Sequence, residues 1–195
     1  MKKLLTAALA AALLALPAVA LTQKAARNKT LEVSFRYERQ QTHGSNQYAV
    51  WIENAEGKVV RTLFVTAYTT KGRTRGNEQP MRGYVKRPFC VPTWVKNVNA
   101  EALTDQQLDA FTGATPQTSG EQVFTWDFTD QSGKPVAKGK YRVRIEATLF
   151  DASIITYTGN FSTKDKAGDI AMTSEITEPS EERMNMVTQV RARLK

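Results

Sequence analysis

Apolar and polar side chains alternate every second residue over much of this chain, the spacing that turns one face of a β-strand towards a core. Leu31, Val33, Phe35 and Tyr37 fall on one face, and Glu32, Ser34, Arg36 and Glu38 on the other. From Gln47 to Glu53 the pattern returns, with Tyr48, Val50 and Ile52 set against Ala49, Trp51 and Glu53. Asn54-Ala55-Glu56-Gly57 then supplies turn chemistry before Val59 to Thr66, so the two runs predict a hairpin. Further strands are predicted over Gln122–Asp127, Tyr141–Leu149, Ile154–Phe161, Ile170–Thr177 and Met184–Leu194. In the last of these Met186, Val190, Ala192 and Leu194 share one face, and Gln189, Arg191 and Arg193 share the other. Seven or eight short strands separated by turn signals predict an all-β protein, an antiparallel β-sandwich.

Two stretches depart from the alternation. After Thr66 it fades for about forty residues that include Gly72, Gly76, Pro80, Gly83, Pro88 and Pro92, which predicts one long irregular loop, a feature that is usually functional. A short helix is predicted to close it, with Thr104 as N-cap, Gln107 three residues on and Gly113 available to end it. The second stretch runs from Trp126 to Tyr141 and has the composition of a tight corner. There Asp127 and Asp130 are placed to accept backbone N–H groups, Gly133 and Gly139 to take positive φ, and Val136 and Tyr141 to point inward. A calcium loop is the alternative use of Asp127, Asp130 and Asp151, although the ligand spacing of an EF-hand is missing.

The N-terminus changes the picture of where the domain works. Lys2 and Lys3 precede thirteen residues, Leu4 to Leu16, that are all Leu or Ala apart from Thr6. Such a run is too short for a stable anchor in a hydrocarbon layer about 30 Å thick, so it reads as a secretory signal and not as an uncleaved anchor. Pro17 breaks it, and Ala18-Val19-Ala20 gives a small-x-small site that places the cut after Ala20. Residues 1–20 are thus expected to be a signal peptide and 21–195 a single periplasmic sandwich domain, with no other segment apolar enough to span a membrane.

Removing Lys2 and Lys3 leaves 25 basic against 19 acidic residues, a net charge of +6. The local excess lies between Lys71 and Lys96, where Arg73, Arg75, Arg82, Lys86 and Arg87 also occur. No recognition helix or stacking motif accompanies it, so it reads as a solvated loop and not as a nucleic-acid site. Cys90 is the only cysteine and can form no intrachain disulfide, which in an oxidising compartment leaves a buried thiol or an intermolecular bond. His43 is the only histidine, and one His and one Cys make neither a metal site nor a catalytic triad.

The segment Asp109-Ala110-Phe111-Thr112-Gly113-Ala114-Thr115 is the one that looks chemical. It is similar to the D-x-x-[ST]-G-A-[ST] sequence of flavin-carrying electron-transfer proteins, in which an FMN transferase joins the FMN phosphate to the final hydroxyl. That resemblance implies Thr115 as acceptor and covalent FMN as cofactor. A phosphoester needs the hydroxyl, Gly113 allows close backbone approach, Ala114 leaves room and Thr112 can bond a phosphate oxygen. Asp109 would serve recognition by the transferase. Isoalloxazine stacking is assigned to Trp94 or Trp51, amphipathic rings suited to a half-exposed planar ligand. The alternative is that Thr-Gly-Ala-Thr, followed by Pro116, is a capped turn into the sandwich.

The corner Trp126 to Tyr141 resembles the immunoglobulin-like domain of the flagellar hook-capping protein, with its W-D-x-x-D-x-x-G-x-x-V-x-x-G-x-Y run. Over nearly the whole chain the order of motifs resembles predicted periplasmic proteins of domain-of-unknown-function family 2271. Those motifs are Tyr48 to Glu53, Thr62-Leu63-Phe64, Pro92-x-Trp94, Asp109 to Thr115, the corner, and Arg144-Ile145-Glu146-Ala147. The acidic-His-Gly stretch associated with that family is missing after Glu146, and Lys71 to Arg87 has the look of an insertion. Family resemblance implies export, a sandwich fold, and a place among envelope redox systems with an FMN transferase and a membrane-bound redox partner, and the corner's resemblance implies that the sandwich is immunoglobulin-like. The expected function is therefore electron transfer by an FMN carrier rather than an enzyme. A cofactor-free immunoglobulin-like module that docks an envelope partner by edge strands and loop is the alternative.

Overall fold

The computed structural model describes residues 29–41, 45–72, 82–87, 89–149, 153–177 and 185–195. Expectations for the signal segment, His43, Arg73, Arg75, Asp151 and Met184 fall outside them. Two sheets face each other in an all-β sandwich. One has the order β5 (Gly120–Trp126), β1 (Leu31–Tyr37), β10 (Val187–Leu194), β8 (Gly168–Ile170). The other has the order β4 (Thr112–Gly113), β3 (Val59–Thr66), β2 (Asn46–Asn54), β6 (Lys140–Leu149), β7 (Ser153–Ser162), β9 (Met172–Thr177). All pairings are antiparallel except β3 with β4.

The predicted alternation builds the space between the sheets. Leu31, Val33, Phe35 and Tyr37 of β1 are buried against Tyr48, Val50 and Ile52 of β2 and Val143, Ile145 and Leu149 of β6. Burying each such side chain stabilises the fold by about 1.5–3 kcal/mol. Tyr48 anchors an aromatic group, edge-on to Phe35 at 5.4 Å and stacked on Phe64 at 5.0 Å. The predicted hairpin of β2 and β3 turns at Asn54, whose carbonyl accepts the Gly57 N–H at 3.1 Å and whose side chain accepts the Lys58 N–H at 2.9 Å.

The segment after Thr66 is not one irregular loop. Its described residues form α1 (Ala67–Lys71), α2 (Pro92–Val98), a 3₁₀ turn (Ala100–Ala102) and α3 (Asp105–Asp109), whose side chains pack on the outer face of β2 and β3, and β4, which pairs at the edge of β3. A second core results, in which Ala49 and Trp51 of β2 and Val65 of β3 meet Val91, Trp94, Ala100, Leu108 and Phe111. Its helices have only five to seven residues, less than two full turns, so no helical periodicity develops in the sequence. The predicted capping box is present, Thr104 Oγ1 accepting the Gln107 N–H and the Gln107 side chain accepting the Thr104 N–H. Gly113 does not end this helix; Ala110 is its C-cap and Gly113 lies in β4.

Two predicted strands change on folding. Ile170–Thr177 divides at Ala171, because β8 pairs with β10 in one sheet and β9 with β7 in the other. In β10 the register shifts where Ser34 pairs with Arg191 but Arg36 with Thr188, so Gln189 and Val190 together oppose Phe35. Gln189, in the bulge, takes the left-handed φ of 52°, and Val187 beyond it is buried in the core. The corner holds as predicted at Asp127 and Asp130: Asp130 Oδ1 accepts the N–H groups of Ser132 and Lys134, and Asp127 Oδ1 that of Thr129. Gly133 has φ 81°, but Gly139 does not have a positive φ. The Gly139 N–H instead donates to Thr163 Oγ1 at 3.0 Å, and its carbonyl accepts the Thr163 N–H at 2.9 Å, which ties it to the residue just after β7.

Candidate functional site

Residues 109–119 carry the chain from the helical layer, along the edge of one sheet, and across to the edge of the other. Asp109 ends α3 as an exposed carboxylate in an ion pair with Lys71 of α1. Phe111 is buried edge-on against Trp94, with ring centroids 5.7 Å apart. Thr112 and Gly113 then pair with Val65 and Thr66 as β4, and the hydroxyls of Thr112 and Thr70 lie 3.2 Å apart. A Cβ at Gly113 would stand 2.2 Å from Phe64 Cε2, so the glycine is required by space and not by a positive φ.

Beyond β4 the segment comes to the surface. Ala114 is exposed and Thr115 half-buried, and the Thr115 hydroxyl engages in no hydrogen bond among the described residues. The Thr115 carbonyl accepts Gln117 Nε2 at 2.8 Å. Pro116 presents its carbonyl to Arg39 Nη1 at 3.1 Å and to the Tyr37 hydroxyl at 3.4 Å, and Ser119 Oγ accepts the Arg39 N–H at 2.9 Å. The seven-residue motif is thus pinned to β3 before Gly113 and to the end of β1 after Thr115, with the hydroxyl-bearing residue between the pins.

The stacking role assigned to Trp94 and Trp51 is corrected by the structure: both are fully buried in the second core. Trp94 Nε1 donates to Thr62 Oγ1 at 3.0 Å and Trp51 Nε1 to Glu53 Oε1 at 2.7 Å, so each indole is consumed by packing and by its own polar partner. Pro92-x-Trp94 is therefore a helix start that plugs the outer core. The residues fit the phosphate end of an FMN, with a surface hydroxyl, a small neighbour and a nearby cation, and they offer it no ring to stack on from those two tryptophans.

Carboxylates that the sequence reading did not single out hold the helical layer in place. Glu146, buried on the outer face of β6, accepts the N–H groups of Thr93 and Trp94 at 3.1 and 3.0 Å. Burial pushes its carboxyl above the ordinary value, against the opposing effect of those two donors and of Arg144. Glu53 accepts Trp51 Nε1 and Asn97 Nδ2 and faces Arg142 at 3.5 Å. Cys90 is buried, and burial raises the pKa of its thiol. In the basic stretch Lys86 lies 3.8 Å from Glu101, and Arg87 lies over the Tyr68 ring at 5.1 Å. An open groove of about 440 Å³, lined by Lys140, Arg142, Asn160, Ser162 and others, lies at the opposite end of β2 from Thr115.

A two-sheet sandwich with a helical layer over one face, displaying a hydroxyl-bearing motif at a sheet edge, is the class of protein defined here. The chain belongs to the family described as predicted periplasmic protein, domain of unknown function 2271, whose sequence model matches residues 28–175, and its place of action is the periplasm. No curated protein and no solved structure matches it. Among the described residues no helix is long and apolar enough to cross a membrane.

Proposed function

We propose that this periplasmic protein is an electron carrier with one FMN joined by a phosphoester to Thr115, and that it turns over no substrate of its own. The observation that carries this reading is that the motif emerges at the surface at Ala114 and Thr115, with Thr115 half-buried and its hydroxyl unengaged among the described residues. Covalent attachment suits a compartment from which free flavin would diffuse away. When bound, FMN supplies the electron-transfer chemistry. The chain's own residues hold the attachment segment rigidly at a sheet edge, where an FMN transferase and a membrane-bound redox partner both have access.

Coexpression with an FMN transferase in the periplasm tests the proposal. The protein should gain the mass of one FMN through a bond that survives denaturation, and its band should fluoresce in a denaturing gel. Thr115→Ala should abolish that signal and change stability by no more than about 0.5 kcal/mol. Thr112→Ala should weaken it, since Thr112 bonds Thr70 and only steadies the segment. An unmodified wild-type mass alongside an active transferase overturns the proposal, and the chain is then the cofactor-free docking module.

A further inference from the structure

A phosphodiester formed at Thr115 would keep one negative charge, and the nearby cations are not equally available to it. Lys71 is paired with Asp109, and Arg36 with Glu38. Arg87 lies over the Tyr68 ring. Arg39 differs from these: no carboxylate lies within ion-pair distance of it among the described residues, and its side chain is directed at the attachment segment. Its Nη1 is 3.1 Å from the carbonyl of Pro116, the residue that directly follows Thr115. Consecutive Cα atoms are about 3.8 Å apart, so the guanidinium is anchored on the residue adjacent to the acceptor.

The backbone of Arg39 is fixed as well. Its N–H donates to Ser119 Oγ at 2.9 Å, and Tyr37, two residues before it, donates its hydroxyl to the same Pro116 carbonyl. Main chain and side chain of residue 39 therefore both clasp the 116–119 segment. A guanidinium has five N–H donors in a planar fork; Pro116 takes one and the Tyr37 hydroxyl another. Those remaining suit the two free oxygens of a phosphodiester, a geometry that a lysine ammonium matches only as a point charge.

We infer that Arg39 is a positioning residue that anchors the phosphodiester of the flavin at Thr115, an inference that rests on flavin attachment at that residue. With its phosphate held against the end of β1, the tethered flavin has a defined orientation towards a redox partner, though neither Trp94 nor Trp51 stacks on it.

The test compares flavin fluorescence anisotropy in the flavin-loaded wild type, Arg39→Gln and Arg39→Lys over a series of salt concentrations, with a melting curve for each. In Arg39→Gln the ratio of docked to freely rotating flavin should fall about tenfold, the size of one charge-assisted hydrogen bond, and Arg39→Lys should recover part of it. Added salt should lower the wild-type anisotropy and leave that of Arg39→Gln unchanged. Equal anisotropy and equal salt response in all three proteins overturns the inference. So does a salt-independent fall that is the same in Arg39→Gln and Arg39→Lys, which assigns Arg39 to holding Pro116 alone. Absence of flavin from the wild type, read by mass, overturns the attachment itself and this inference with it, so the two failures are distinguishable.

Discussion

Gly113 and Gly139 both adjoin strands, yet the chain asks different things of them. Phe64 sits where a Gly113 side chain would go, and the ring cannot step aside because it is stacked on Tyr48 and lies 5.4 Å from Phe124. Gly113→Ala should therefore cost about 1–3 kcal/mol of overpacking and displace the attachment segment, so chemical denaturation and flavin loading should fall together. A loss of loading without a loss of stability would separate the two effects and leave the glycine to the approach of phosphate alone. Gly139 has open space around it and no positive φ. Gly139→Ala should thus stay within about 0.5 kcal/mol of the wild type, whereas Gly133→Ala, at φ 81°, should lose about 1 kcal/mol. Melting curves of the two variants measured together decide whether backbone conformation or mere presence in the corner sets the demand for glycine.

At the scale of elements, α2 depends on a carboxylate from the strand beneath it. Glu146 accepts two N–H groups at the start of that helix, but burial dominates and raises its pKa from the ordinary 4.5. Between 4.5 and the higher native value the folded chain holds more protons than the unfolded one, so stability should fall as pH rises through that window. Glu146→Gln should flatten this slope in urea titrations run at several pH values; an unchanged slope would remove Glu146 as its source. Asp127 and Asp130 act in the opposite sense, since hydroxyl and backbone hydrogen bonds in the corner lower their pKa below 3.8 and that stabilisation is lost on acidification. Strands with one face towards the core, such as β1, were legible in the sequence because alternation is a local signal. The second core was not, since Val91, Trp94, Leu108 and Phe111 are scattered over elements too short to show a period. The motif from Asp109 to Thr115 could be read as a motif without the fold because its residues are contiguous in the chain. Arg39 was invisible, because only folding brings it to Pro116, 77 positions away in the chain.

The described residues form two apolar clusters joined through β2, which is buried on both faces, and the two should not open together. The inner cluster is enclosed by two sheets paired through long antiparallel registers such as β2 with β6 and β6 with β7. The outer cluster is closed by helices of five to seven residues, which are marginal by themselves and depend on Trp94, on its bond to Thr62, and on the Asn97 contact with Glu53. Native-state hydrogen exchange should therefore show the amides of Val95 and Leu108, bonded within α2 and α3, opening at a lower free energy than those of β2 and β6. Trp94→Ala should cost about 3–5 kcal/mol and lower protection first in the helices, then at Val65, whose N–H donates to the Phe111 carbonyl. Through Phe111 the same substitution loosens the segment that leads to Thr115, so flavin loading should become sensitive to a residue that faces away from the acceptor. Equal loss of protection in the helices and in β6 would show instead that the two clusters unfold as one unit, with the helical layer an integral wall of the sandwich.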